Sequence, residues 1–214
     1  MTTAKKVCID VRVLLTAFEA YDEWTENSSW LTLVELLKDR PTAVELVTRR
    51  YPVELKALQE RLYHDLQKRP DVALHLGQSP GGAVLKLEAI ALNVAGCVEH
   101  AGRQLPPLVE SGPLAFHSQM PLGHWEQTLR SAGIPAAVSY HAGTFLCNAT
   151  LYLTHHWCAE HGHAMPAGFV HLPLTTEQVA GSGRTLPSLS VTSMARGVRL
   201  LLEELATRLT TSES

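Results

Sequence analysis

VRVLLTAF, residues 11–18, is the segment that indicates the fold class most clearly. It is a run of aliphatic and β-branched residues, interrupted only by Arg12 and Thr16, and it ends near polar turn residues. Such a run is typical of a strand that is buried on both faces, as in a parallel sheet with helices on either side. Beyond this segment, strand-like and helix-like segments alternate along the chain.

The alternation predicts a fold class. Strands are predicted over residues 44–51, 72–76, 136–140 and 168–172, and loops over residues 77–82 and 95–113. Helices are predicted over residues 28–38, with Ser28 as cap, and over residues 53–68, 125–132, about 149–160 and about 190–209. We therefore expect one α/β domain over residues 1–214, a three-layer αβα sandwich around a mostly parallel mixed sheet.

Composition excludes several classes of protein. The 214 residues are 45% hydrophobic and 18% charged, which is ordinary for a soluble globular chain. The net charge of −3 and the scattered Lys and Arg residues argue against nucleic acid as a partner. No apolar run approaches the ~20 residues of a membrane span, and Asp10 and Arg12 interrupt any signal-like stretch. We expect a cytoplasmic protein that binds no membrane.

The cysteines suit a reducing compartment, because the four of them show neither paired spacing nor the density of a disulfide scaffold. Cys147 lies at or near the start of the helix predicted from about residue 149. Unsatisfied N–H groups at a helix start stabilise a thiolate over a thiol, so a nucleophilic Cys147 is one interpretation. A small buried hydrophobe beside Phe145 and Leu146 is the other.

His171 and Glu88 each have a catalytic and a plainer interpretation. His171 ends a predicted strand within an apolar run, where it is either a proton carrier or a core histidine bonded to backbone groups. Glu88 lies in LKLEAIALN, residues 85–93, in which alternate residues are apolar. That pattern fits an inward-facing carboxylate or a solvated charge on a helix. The residue pattern alone leaves both alternatives open.

Several motifs together resemble pyroglutamyl peptidase I, the cysteine-dependent pyrrolidone carboxyl peptidase family. AGTFLCN, residues 142–148, closely matches the family's nucleophile motif, and GFVHLP, residues 168–173, with Glu177 and Gln178, matches its histidine motif. GQ at residues 77–78 and EAIALN at residues 88–93 resemble its glycine loop and acid segment. TAFEAY at 16–21, NSSW at 27–30 and YPVE at 51–54 extend the similarity over nearly the whole chain.

The resemblance implies a cysteine omega peptidase that removes the N-terminal pyroglutamyl residue from peptides through a thioester, without metal or cofactor. Cys147 would be the nucleophile, His171 the proton carrier and Glu88 the group that orients the imidazole. The pocket for the uncharged ring would be largely apolar and formed by Phe18, Tyr21, Gln78, Phe145 and Leu146. The same resemblance implies a homo-oligomer, a tetramer.

Departures from the family pattern leave a second hypothesis open. Residues 94–103, VAGCVEHAGR, replace a segment in which the family carries an arginine near the oxyanion, and the spacing of Arg103 supports no direct assignment. Ser79-Pro80 alters the glycine loop, and Ala17 and Ala20 replace glycine and proline. The alternative is a weakened or non-catalytic homologue that binds pyroglutamyl or related acyl-peptide ends.

A metal site is the third hypothesis. HHWCAEHGH, residues 155–163, places His155 and Cys158 on one helical face, where they could ligate zinc. No tetrahedral spacing motif is complete, however, and histidines late in a helix interact favourably with its dipole. The glycine loop is not a phosphate-binding loop, because it contains Pro80 and no Lys-Ser/Thr pair follows its glycines.

Overall fold

The computed structural model describes residues 11–96 and 104–212. The strands are β1 (Arg12–Phe18), β2 (Glu45–Tyr51), β3 (Val72–Gln78), β4 (Leu85–Glu88), β5 (Ile90–Leu92), β6 (Ala115–His117), β7 (Ala136–Ser139), β8 (Ala167–Leu172), β9 (Leu174–Thr175) and β10 (Ser188–Leu189). The helices are α1 (Ser28–Lys38), α2 (Leu55–Leu66), α3 (Leu122–Ser131), α4 (Leu146–Glu160), α5 (Thr176–Ser182) and α6 (Val191–Ser212).

A six-stranded sheet in the order β2-β1-β3-β8-β4-β7 forms the middle layer. Neighbouring strands are parallel except β8 and β4, which are antiparallel. Residues of α1, α3 and α6 pack against one face, and residues of α2 and α4 pack against the other. The predicted αβα sandwich around a mostly parallel mixed sheet is therefore confirmed.

Strand β1 shows how the sequence produces this layering. Val13, Leu15 and Ala17 belong to the core on one face of the sheet. Leu14 and Phe18 belong to the core on the other face. Successive side chains of a strand point to opposite faces, so an almost uninterrupted apolar run is stable only between two helical layers.

Three local predictions need correction. Asn27, not Ser28, caps α1, because its side-chain oxygen accepts a hydrogen bond from the Ser29 N–H at 3.0 Å. Strand β3 continues through Gly77 and Gln78, since both pair with β8, so the predicted glycine loop begins two residues later. The helix interpretation of Glu88 is wrong, because the segment forms β4 between β8 and β7.

Other boundaries differ by a few residues. Helix α3 begins at Leu122, three residues before the predicted start, and α6 extends beyond the predicted end. Residues 104–113 carry no helix or strand, in agreement with the predicted loop, whereas residues 97–103, including Cys97 and Arg103, lie outside the described residues. Within the described ranges, no helix combines the length and apolar character needed to cross a bilayer.

The topology also determines where a site can form. Strands β1, β3 and β8 run parallel, so their carboxyl ends, at Phe18, Gln78 and Leu172, lie on one edge of the sheet. In open α/β sheets ligands bind at this edge, in the loops that follow the strands.

Candidate active site

A cavity of about 330 Å³ opens at this edge of the sheet. The eight site residues predicted from the sequence all line it: Phe18, Tyr21, Gln78, Glu88, Phe145, Leu146, Cys147 and His171. They come from β1 and the loop after it, from β3, β4 and β8, and from the N-cap and first turn of α4. The fold thus brings together side chains that are up to 153 positions apart in the sequence.

Cys147 lies in the first turn of α4, directly after Leu146. The N-cap residue is Phe145, and no side chain caps the helix. The first N–H groups of a helix have no intrahelical partners, so an uncapped start presents several donors and a partial positive charge. This arrangement stabilises a negative charge on the sulfur or on an oxygen bound beside it.

Two features position the start of α4. The Asn148 side chain accepts from the Leu92 N–H at 2.8 Å and donates to the Leu92 carbonyl at 2.9 Å, which ties α4 to β5. Gly77 on β3 permits close approach, because a Cβ atom there would lie 2.9 Å from Cys147 Sγ and 2.6 Å from Phe169 Cζ. A larger residue at position 77 would displace the thiol.

His171 lies between Glu88 and Cys147. Its Nδ1 atom is 2.8 Å from Glu88 Oε1, and its imidazole also makes a side-chain hydrogen bond with Cys147. Glu88 is fully buried and His171 is 8% exposed, so little solvent screens these contacts. Sulfur, imidazole and carboxylate therefore form one hydrogen-bonded series.

Charge controls the protonation of this imidazole. Burial alone lowers the pKa of His171, but the negative charge and hydrogen bond of Cys147, followed by the hydrogen bond and charge of Glu88, raise it to about 9. His171 is therefore charged at neutral pH when the sulfur is a thiolate. The imidazolium in turn compensates the burial of Glu88, whose second oxygen has no hydrogen-bond partner among the described residues.

Gln78 has a side-chain amide with a fixed orientation. Its Oε1 accepts from the Ser28 N–H at 2.7 Å and from Gln178 Nε2 at 2.9 Å. The Nε2 of Gln78 is buried and has no acceptor among the described residues. Because both donors hold the oxygen, the amide nitrogen is left as a donor for a ligand carbonyl.

Aromatic side chains lie beside this amide. Phe18 is buried and Tyr21 is half-buried, and the Tyr21 hydroxyl donates to the backbone carbonyl of Gln78 at 3.4 Å. Burial, with a smaller effect of the Cys147 charge, raises the pKa of Tyr21 to about 12, so it remains a neutral donor. This half of the cavity suits a small, uncharged, amide-like ring.

Several lining residues were missed by the sequence analysis: Asn27, Val53, Ser79, Pro80, Lys86, His141, Ala142 and Gly143. Lys86 had a signal, because the alternation in LKLE, residues 85–88, puts it on the same face as Glu88. His141 is held by its Nδ1 atom, which accepts from the Gly143 N–H at 2.9 Å in a turn where Gly143 has φ +78°. No comparable pattern marks it in the sequence.

The metal hypothesis finds no support in the described part of the chain, where no group of three or more metal-ligating side chains comes together. His155 instead stacks on the Phe116 ring at 5.7 Å between centroids. Cys158 packs in the core between α2 and α4, and burial raises the pKa of its thiol to about 11. It is therefore a structural cysteine.

Comparison with known proteins agrees with the geometry. A family model described as "Pyroglutamyl peptidase" matches residues 11–208. Pyrrolidone-carboxylate peptidase 1 of Ralstonia nicotianae is 35% identical over 198 residues, covering 89% of this chain and 91% of that protein. A pyrrolidone-carboxylate peptidase of Pseudomonas fluorescens is 36% identical over 199 residues, covering 87% and 89%.

Solved structures show the same similarity. The pyrrolidone carboxyl peptidase of Fervidobacterium islandicum has a TM-score of 0.83 and 33% identity, covering 92% of this chain and 98% of that chain. The enzyme of Thermococcus litoralis has a TM-score of 0.83 and 27% identity, with coverage of 95% and 96%.

Proposed function

Because this chain belongs to the pyroglutamyl peptidase family, we propose that it is a cysteine peptidase that hydrolyses the N-terminal pyroglutamyl residue from peptides, with Cys147, His171 and Glu88 as its catalytic groups. The observation that carries the assignment of residues is the buried contact of 2.8 Å between Glu88 and His171, with Cys147 on the other side of the imidazole. This is the arrangement of nucleophile, base and orienting group that acyl transfer requires.

The reaction follows from these positions. His171 takes the thiol proton, and the Cys147 sulfur attacks the acyl carbonyl of the pyroglutamyl residue. The oxyanion receives hydrogen bonds from free N–H groups at the start of α4. The imidazolium then protonates the leaving amine, which breaks the peptide bond and leaves a thioester. Water, deprotonated by His171, hydrolyses the thioester and releases pyroglutamate.

The ring occupies the half of the cavity beside Phe18 and Tyr21. The lactam is neutral, so it needs hydrogen bonds and apolar contacts rather than an acidic group for a charged amine. We assign the Gln78 amide nitrogen as donor to the lactam carbonyl, because Ser28 and Gln178 hold its oxygen. Phe145, which is 43% exposed, and Leu146 complete the pocket at the helix start.

An assay with a pyroglutamyl arylamide tests this proposal. The wild-type protein should release the arylamine, and Cys147→Ser should reduce the rate by at least about 10³-fold, because a serine hydroxyl is a far poorer nucleophile here. Cys158→Ser is the matched control and should keep the activity. Calorimetric binding of the substrate without turnover by the wild type would contradict a hydrolytic function.

The assembly and location complete the proposal. By resemblance to the family, we propose that residues 1–214 form a single domain that assembles into a homotetramer in the cytoplasm. Sedimentation analysis of the purified protein at micromolar concentration should give one species of four chains. A monomer at all concentrations would contradict the tetramer without affecting the catalytic assignment.

A further inference from the structure

Lys86 is a cation on the wall of the cavity that the reaction above does not use. It lies on β4, is half-buried and lines the cavity. In the antiparallel pairing of β4 with β8 it is directly opposite His171. No carboxylate of the described residues forms an ion pair with it.

The register places Lys86 near the leaving residue of the substrate. Opposite residues of an antiparallel pair point to the same face with Cβ atoms about 5 Å apart. Under the proposed function His171 protonates the leaving amine, so the first residue after the scissile bond lies beside that imidazole. One residue spans about 3.3–3.6 Å, which brings a carboxylate on the leaving residue within reach of the long Lys86 side chain.

The charges on this wall favour an anion. Among the described residues that line the cavity, Glu88 is the sole acid, and its charge is directed at His171. His141, which also lines the cavity, is a second donor, because its Nδ1 already accepts from the Gly143 N–H and the neutral ring then carries its proton on Nε2. A leaving residue with a carboxylate would therefore meet two donors, while the acid in the lining is paired with His171.

We propose that Lys86 binds a carboxylate of the leaving residue and so determines specificity on that side of the scissile bond. The inference rests on the proposed function and extends it. The substrate can supply this carboxylate in two ways, as the free C-terminus of a pyroglutamyl dipeptide or as an acidic side chain of a longer peptide. A partly buried ammonium paired with a carboxylate is expected to favour such substrates about fivefold to tenfold.

Competition between matched substrates tests the inference. The kcat/KM of pyroglutamyl-alanine is compared with that of its amide, and pyroglutamyl-glutamate amide is compared with pyroglutamyl-glutamine amide. For the wild type we expect at least one carboxylate substrate to be preferred about fivefold to tenfold, and the preference to shrink as salt screens the pair. The pair that shows the preference identifies the source of the carboxylate.

Three variants make the test specific. Lys86→Met should bring the preferred ratio close to one, and Lys86→Arg should keep it because the charge is retained. Lys38→Met is the matched control, since it removes an exposed ammonium at the far end of α1 and should keep the wild-type ratio.

Other outcomes would overturn the inference. Ratios near one in an active wild type, or an unchanged preference in Lys86→Met, would show that Lys86 binds no carboxylate, while turnover of the arylamide would still support the proposed function. Absence of turnover on the arylamide and on every peptide would contradict the proposed function and the inference together.

Discussion

His75 and His171 lie on neighbouring strands, are both buried, and both approach the same ring. The centroid of Phe169 is 6.3 Å from His75 and 4.8 Å from His171. His75 lies between two hydroxyls, with its Nδ1 2.8 Å from Thr16 Oγ1 and its Nε2 3.0 Å from Thr154 Oγ1. The partners of His171 are a thiol and a carboxylate.

The pKa values of the two imidazoles are consequently shifted in opposite directions. Burial, with a smaller effect of the His155 charge, lowers the pKa of His75 to about 3, so it is neutral in the folded protein. Burial also acts against the charged form of His171, but its ionisable partners raise the pKa to about 9. The comparison shows that partners able to carry negative charge, rather than burial, distinguish a proton carrier from a core histidine.

The largest effect is expected when each of the two imidazoles is replaced by the same amide. We expect His171→Gln to lower kcat on the arylamide by about 10³-fold or more, because no group then accepts the thiol proton. His75→Gln should keep kcat within about tenfold, since it touches no reacting atom. Circular dichroism at the assay temperature verifies that both variants are folded, and equal losses in the two would contradict the distinction.

Removing the charge of Glu88 should lower the pKa of His171 and so bring it closer to that of His75. We expect Glu88→Gln to lower kcat about 10²- to 10³-fold, because the amide can donate to Nδ1 and stabilise the wrong tautomer. The alkaline limb of the kcat/KM profile should move to lower pH, since the Glu88 charge and hydrogen bond help raise the pKa of His171.

The pH profile of a variant at a carboxylate outside the cavity provides the control for that change. Glu126→Gln removes a carboxylate that pairs with Arg130 on α3, away from the cavity, and should leave the profile in place. An alkaline limb that does not move in Glu88→Gln would contradict the assigned role of Glu88.

The smallest expected effect concerns stability in acid. The folded pKa of His75 is about 3, below its ordinary 6.5, so between these values the unfolded chain binds a proton that the folded chain does not. The free energy of unfolding therefore falls as pH drops below 6.5, by about 2 kcal/mol from this residue between pH 7 and pH 5. Urea unfolding of His75→Gln should show a shallower pH dependence than the wild type, whereas equal slopes would refute the assignment.

Much of the layout could be predicted from local sequence. The two-sided burial of β1 follows from its apolar run, and the position of Cys147 at a helix start follows from the helical pattern that comes after it. Both features depend on residues within about ten positions of each other. Short-range patterns of this kind are encoded directly in the order of side chains.

Features that depend on strand register could not be predicted. The four residues of β4 fit a strand or a helix turn equally well, and only pairing with β7 and β8 decides between them. The same pairing brings Lys86 opposite His171, and the contact of Gln178 with Gln78 joins residues 100 positions apart. The family resemblance predicted Glu88 as the acid, whereas its contact with His171 follows only from the fold.

Alkylation of the protein tests whether Cys147 is the nucleophile. Iodoacetamide should modify Cys147 and leave the buried Cys158 unmodified, with activity lost in proportion to the labelled fraction of Cys147. The lactam 2-pyrrolidone should slow both changes equally, because it occupies the ring pocket beside the sulfur. Full turnover of a pyroglutamyl arylamide by protein whose Cys147 is stoichiometrically alkylated, as shown by peptide mass spectrometry, would contradict the account.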